Sequence, residues 1–150
     1  MIKEQYTIIC DEVRQEINGK FILIGVYQKV ITIPQIPFTL PSLTFYQVLE
    51  SDRPGVWQSR MKLQHLESGK NIFEAMGAVN FQRPGPGVSA LRFPNVPLMA
   101  AGPYNFVQEF QDHKDPLITA FDVVLVIPQQ PQQMPGGFPG MNSGMKGMGG

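Results

Sequence analysis

A single cysteine, two histidines and no surplus of charge are the chain's clearest shortages. Cys10 alone cannot close an internal disulfide, and His65 and His113 add too few ligands for a structural zinc site. Lys and Arg number 12, as do Asp and Glu, so the formal net charge is zero. Nothing is left over to neutralise nucleic-acid phosphates or anionic lipid, and no nucleic-acid partner is expected. No stretch approaches the roughly 18 apolar residues of a membrane span. The opening Met1-Ile2-Lys3-Glu4-Gln5 carries an acidic charge and has no apolar h-region. A signal peptide and a membrane span are therefore not expected, and the cytoplasm is the expected location. Helical periodicity is missing too: no window of about 11 residues or more repeats at a 3.6 period.

What is present suffices for one core. The 150 residues are 43% apolar and include ten Phe, which suits one domain burying roughly 70% of its unfolded surface. Composition changes near Ile127. Residues 128–150 are mostly Gly, Pro, Gln and Met, too poor in apolar side chains to offset the entropy of ordering. The expectation is a β-sandwich domain over 1–127 and a disordered or extended low-complexity tail over 128–150. Thioethers at Met141, Met145 and Met148 could wrap a soft cation such as Cu(I). A solvated spacer or tether accounts for the same residues, and no cofactor is expected.

The body reads as short strands divided by turn residues. Asn18-Gly19 suits both centres of a type I′ turn and predicts a two-residue hairpin over residues 7–27. Its second arm, Phe21-Ile22-Leu23-Ile24-Gly25-Val26-Tyr27, is apolar on both faces. That pattern suits a central strand covered on both sides, or a strand whose outer face meets the hairpin's first arm. Residues 56–66 alternate most regularly, with Trp57, Ser59, Met61, Leu63 and His65 on one face. Residues 83–87, Arg-Pro-Gly-Pro-Gly, read as a loop too rich in Pro and Gly to pair, and residues 88–93 as a strand ended by Pro94.

Turn signals recur at the 8 to 12 residue spacing of antiparallel sandwiches, predicting about seven to nine strands and an all-β fold. Two features favour an immunoglobulin-like sandwich: the inward Trp57 on a middle strand, and Tyr104 just after Gly102-Pro103, placed to form a tyrosine corner.

Three segments carry a family resemblance: Cys10-Asp11-Glu12-Val13-Arg14-Gln15-Glu16, then Gly19-Lys20-Phe21 through Gly25-Val26-Tyr27, then Ile33-Pro34 through Pro37-Phe38-Thr39-Leu40-Pro41. Leu91-Arg92-Phe93-Pro94 and Gly102-Pro103-Tyr104-Asn105-Phe106 extend it. Together they resemble an uncharacterised bacterial family, a domain of unknown function with an all-β sandwich body. The resemblance implies the fold and implies no activity. It departs at Glu12, where that family commonly has a second Asp, and in the Gly-Met tail, which it usually lacks.

The most charged stretch beside a strand is residues 10–16. If extended, it projects Glu12, Arg14 and Glu16 from one face and Asp11 from the other, about 7 Å apart in steps of two. Asp11, Glu12, Arg14 and Glu16 are the candidate partner-binding residues. The same stripe can instead be a solvent-facing salt-bridge row that blunts an edge strand, and it lacks the Asp-x-Asp spacing that calcium requires. Cys10 follows Ile8-Ile9 and reads as a small core residue. His65 reads as an inward or rim residue held by hydrogen bonds, and His113 as a turn residue among Asp112, Lys114 and Asp115. No Gly-x-Ser-x-Gly elbow or phosphate-cradling loop is present.

The reading that follows is a non-enzymatic protein-interaction or assembly module, working with a protein partner or with itself. The alternatives are a viral capsid or tail decoration protein, and a small hydrolase using His113 or His65.

Overall fold

The computed structural model describes residues 1–126, so the Gly/Met tail lies outside the described residues. Among the described residues, period-2 runs broken by turn residues give nine strands and no helix: β1 (Ile2–Gln15), β2 (Phe21–Tyr27), β3 (Val30–Ile33), β4 (Phe38–Ser51), β5 (Gly55–His65), β6 (Asn71–Phe81), β7 (Gly85–Leu98), β8 (Gly102–Phe110) and β9 (Leu117–Leu125). They form an all-β sandwich of two sheets, ordered β2-β1-β4-β7 and β3-β9-β8-β5-β6.

Three features differ from the sequence reading. First, the pairing is not wholly antiparallel. After β2 the chain turns through Gln28 and Lys29, the latter at φ 60, and crosses to the other sheet, where β3 runs parallel to β9.

Second, β7 is long and continuous, 14 residues that include Pro86, Pro94 and Pro97. These prolines sit opposite Glu50, Ser42 and Thr39 of β4. An edge strand pairs on one side only, so a missing N–H that faces solvent costs no ladder bond. Inward positions run Ser89, Leu91, Phe93 and then Val96, Leu98, so the alternation inverts at Asn95, whose φ is 51. On β4 it inverts between Leu40 and Leu43, around the facing Pro41, and the register is unbroken.

Third, the hairpin loop holds three residues rather than two. Glu16 N–H donates to Lys20 O at 2.8 Å, Gly19 N–H donates to Glu16 O at 3.0 Å, and only Gly19 takes positive φ, at 81. This is a type I turn closed by a left-handed glycine. The Asn18 carboxamide accepts the Lys20 N–H at 3.1 Å, satisfying the donor that the wider loop leaves free.

The interior holds two apolar clusters separated by a polar belt. One cluster gathers Ile9, Leu43, Phe45, Met61, Leu63, Tyr104, Phe106 and Phe121 among others. The second holds Ile2, Leu49, Trp57, Val79, Phe81 and Phe110. Between them, strand by strand, lie Gln47 (between Phe45 and Leu49), Ser59 (between Trp57 and Met61) and Gln108 (between Phe106 and Phe110), all buried, with Ser89 opposite Gln47. Gln108 Nε2 donates to Ser59 Oγ at 3.3 Å, whereas neither amide atom of Gln47 finds a protein partner. Trp57 fills the second cluster edge-on to Phe110 and donates its indole N–H to Ser51 Oγ at 2.9 Å.

These environments set opposite expectations for two core substitutions, both read by urea denaturation. Trp57→Ala should cost about 3 to 5 kcal/mol, the range for emptying a buried aromatic site. Gln47→Leu should be neutral or stabilising by about 1 kcal/mol or more, because it removes a buried polar group without a partner. A loss on Gln47→Leu as large as that on Trp57→Ala would show that the belt is a stabilising network.

Candidate functional site

The charged segment and the apolar arm of the first hairpin pair with each other, Glu12 opposite Ile24 and Arg14 opposite Ile22. Residues directly opposite share a side of the sheet, so this side carries Glu12, Arg14, Ile22 and Ile24. Three further residues of the motif segments, Asp11, Gly25 and Tyr27, do something different. Gly25 has φ +68, and a Cβ there would lie 2.1 Å from Asp11 Oδ2. The Asp11 carboxylate thus lies over the glycine, and its Oδ1 accepts the Tyr27 hydroxyl at 2.6 Å. The Asp11 carbonyl accepts hydroxyls from Ser42 at 2.7 Å and Thr44 at 3.1 Å, at the point where β1 parts from β4. Phe21, farther along the hairpin, meets the ring of Tyr46 edge-on at 5.5 Å.

Asp11 is therefore a clasp that holds the hairpin to β4, and its carboxylate is spent inside the fold. Burial, reinforced by the hydrogen bond to Asp11, pushes the Tyr27 hydroxyl well above its ordinary value. The remaining candidates do not form an open acidic stripe. Arg14 Nε lies 3.1 Å from Glu12 Oε1, so these two charges neutralise each other at the surface. Glu16 lies beyond the end of β1, in the turn that closes the hairpin.

The strand whose setting differs most from a doubly covered pattern is β2. It is an edge strand rather than a covered central one, and Ile22, Ile24 and Val26 are 43%, 39% and 54% exposed. An apolar run on both faces is the signature of a doubly covered strand, and nothing local distinguishes that from an open edge. β2 has neither a charge nor a proline in its seven residues, the usual means by which edges are kept from pairing.

The histidines lie apart. His65 is opposite Tyr104 at the start of β8, whereas His113 follows Phe110 at its end, roughly 20 Å away along the strand. His65 Nε2 donates to Ala101 O at 2.9 Å, while Nδ1 accepts from the Ser68 hydroxyl at 2.7 Å and the Ser68 N–H at 3.3 Å. Both ring nitrogens are thus engaged in joining the β5–β6 turn to the segment before β8. Tyr104 reinforces that joint as a tyrosine corner, donating to Ala100 O at 2.5 Å. A half-open cleft of about 360 Å³ borders His65, Lys70, Met99 and Tyr104, and no carboxylate lines it. His113 Nδ1 donates to Asp115 O at 2.7 Å within its own turn. Burial, and next the Asp11 charge, raise the Cys10 thiol above its ordinary value, the reverse of what a nucleophile needs. No group of three metal-ligating side chains occurs among the described residues, and no helix among them is long and apolar enough to cross a membrane.

A family model described as a family of unknown function (DUF6941) matches residues 5–119, from β1 into β9. No curated protein matches the chain. Among solved structures, the crystal structure of the C-terminal domain of wzt is similar at 10% sequence identity and a TM-score of 0.46, covering 85% of this chain and 75% of that one.

The clasp generates a stability prediction with a pH signature. Tyr27→Phe should cost about 1 to 2 kcal/mol by stranding the Asp11 carboxylate, and Gly25→Ala more than about 1 kcal/mol, since alanine meets both positive φ and the carboxylate. The folded state holds Tyr27 neutral above the ordinary tyrosine value of about 10. Its contribution is therefore complete below that pH and is lost as the pH rises beyond it. Denaturant titrations between about pH 8 and pH 11 should show stability falling more steeply in the wild type than in Tyr27→Phe. Parallel curves would remove Tyr27 from the clasp.

Proposed function

The chain belongs to DUF6941, a family of unknown function, and from that premise we propose that it is a non-enzymatic interaction module that docks a partner protein along the free edge of β2. One observation carries the reading: β2 is an uncharged, proline-free edge strand with Ile22, Ile24 and Val26 exposed. Such an edge offers backbone donors and acceptors with apolar side chains beside them, the combination that accepts an added strand. Of the residues first singled out, Glu12 and Arg14 border this edge as a charge-balanced rim, while Asp11 fixes the hairpin that presents it.

The finer architectural reading is immunoglobulin-like. Support comes from β5 and β8 lying side by side, with a buried Trp57 on the first and a tyrosine corner at Tyr104 on the second. The non-enzymatic reading draws support from histidines that are separated and engaged, and from a thiol held protonated.

The test is a pull-down with the tagged full chain and with Ile24→Lys, followed by mass spectrometry. Because Ile24 is exposed, the variant should keep the wild-type far-UV spectrum and unfolding midpoint. The expected result is a specific protein captured by the wild type and depleted at least about tenfold by Ile24→Lys, as when a charge is forced into an apolar contact. Identical capture by both proteins would refute docking at β2.

A further inference from the structure

We infer that the strand added at β2 is β2 of a second copy of this chain, paired antiparallel about a two-fold axis through Leu23. This rests on the proposal that β2 is a docking edge, and it names the occupant.

The free backbone groups follow from the hairpin closure. Glu16 and Lys20 form a hydrogen-bonded pair, and such pairs alternate along an antiparallel ladder. Ile22 and Ile24 therefore direct their N–H and C=O toward β1, and Phe21 and Leu23 direct theirs outward. A two-fold at Leu23 makes Leu23 and its copy a hydrogen-bonded pair. It also sets Ile22 directly opposite the copy of Ile24, at the closer non-hydrogen-bonded spacing.

The side chains are self-complementary in this register. Four isoleucines meet on one side. On the other, Phe21, which keeps its edge-on contact with Tyr46, falls opposite Gly25 of the second copy, where the Asp11 carboxylate already covers the glycine and the facing strand adds no side chain of its own. Charge points the same way. β2 holds none, so its natural complement is an equally neutral strand, and its own copy meets that condition. Once paired, each isoleucine pair is bordered by the Glu12–Arg14 ion pair of its own chain. The result is an apolar centre with a charge-balanced rim, the usual anatomy of an interface. The other three sheet edges lack this combination: β7 carries Pro86, Pro94 and Pro97, β3 has four residues, and β6 bears Glu74 tied to Arg60.

A pair of strands this short buries less than the roughly 1,600 Å² of a standard interface, so association depends on concentration. Sedimentation equilibrium of the full 150-residue chain from about 10 µM to about 1 mM, where interfaces of modest size associate, should show the mass rising from monomer to dimer. Ile24→Lys should weaken the dimer at least about tenfold. Register is read separately by oxidative cross-linking. An equimolar mixture of Ile22→Cys and Ile24→Cys should form a mixed disulfide more readily than either variant alone, because only positions 22 and 24 oppose each other across the axis.

A monomer throughout the range overturns the inference, as does a dimer that Ile24→Lys leaves intact, or equal cross-linking in all three samples. A monomer whose captured partner is lost with Ile24→Lys overturns self-pairing while leaving β2 as a docking edge for another protein. A monomer with no Ile24-dependent partner overturns both.

Discussion

Phe45 on one sheet and Phe106 on the other lie stacked 3.9 Å apart, both wholly buried, and the sandwich is organised around this contact. Phe93, Phe121 and, through Phe121, Tyr104 extend it into a continuous aromatic core. Apolar burial must supply the cohesion, since the one cysteine is unpaired and buried. Sheets committed to this face-to-face contact close on two sides and leave strand edges elsewhere. Where those edges fall, and how each is treated, decides what the molecule offers to others.

Three edges carry some device against pairing, and β2 carries none of the strongest. Its hairpin is nevertheless held firmly, because Asp11 reaches four neighbours at once: its carboxylate to Gly25 and Tyr27, its carbonyl to Ser42 and Thr44. That arrangement accounts for the residue types in two of the motif segments. Asp11 needs a neighbour without a side chain and a hydroxyl donor two residues farther on, and Gly25 and Tyr27 provide them. An anchored strand with a free edge loses little conformational entropy on pairing, which favours association at a small contact.

The same framework keeps the reactive side chains apart. β8 places His65 and His113 near opposite ends of the sandwich, and each ring is occupied by the turn it stabilises. Between the two apolar clusters the polar belt of Gln47, Ser59, Ser89 and Gln108 is closed off from solvent rather than opened into a cavity. Its cost in stability is balanced by the clusters on either side, where the largest buried side chains lie.

Residues 56–66 show how much the sequence determined alone. Their alternation put Trp57, Ser59, Met61, Leu63 and His65 on one inward face, and all five are buried. Tyr104 forms the corner expected from Gly102-Pro103, because both features depend on local alternation and turn chemistry. Sheet membership and edge position are not local. Phe21–Tyr27 reads the same whether two layers cover it or none, and only the strand order β2-β1-β4-β7 left it open. The charged stripe at residues 11–16 was visible as chemistry, but its fate depended on contacts across the fold: a glycine 14 positions away over which Asp11 closes, and a crossing to the second sheet after Tyr27. Period and turn type follow from neighbours along the chain, whereas exposure follows from what the other sheet covers, and that was decided only when the two layers packed.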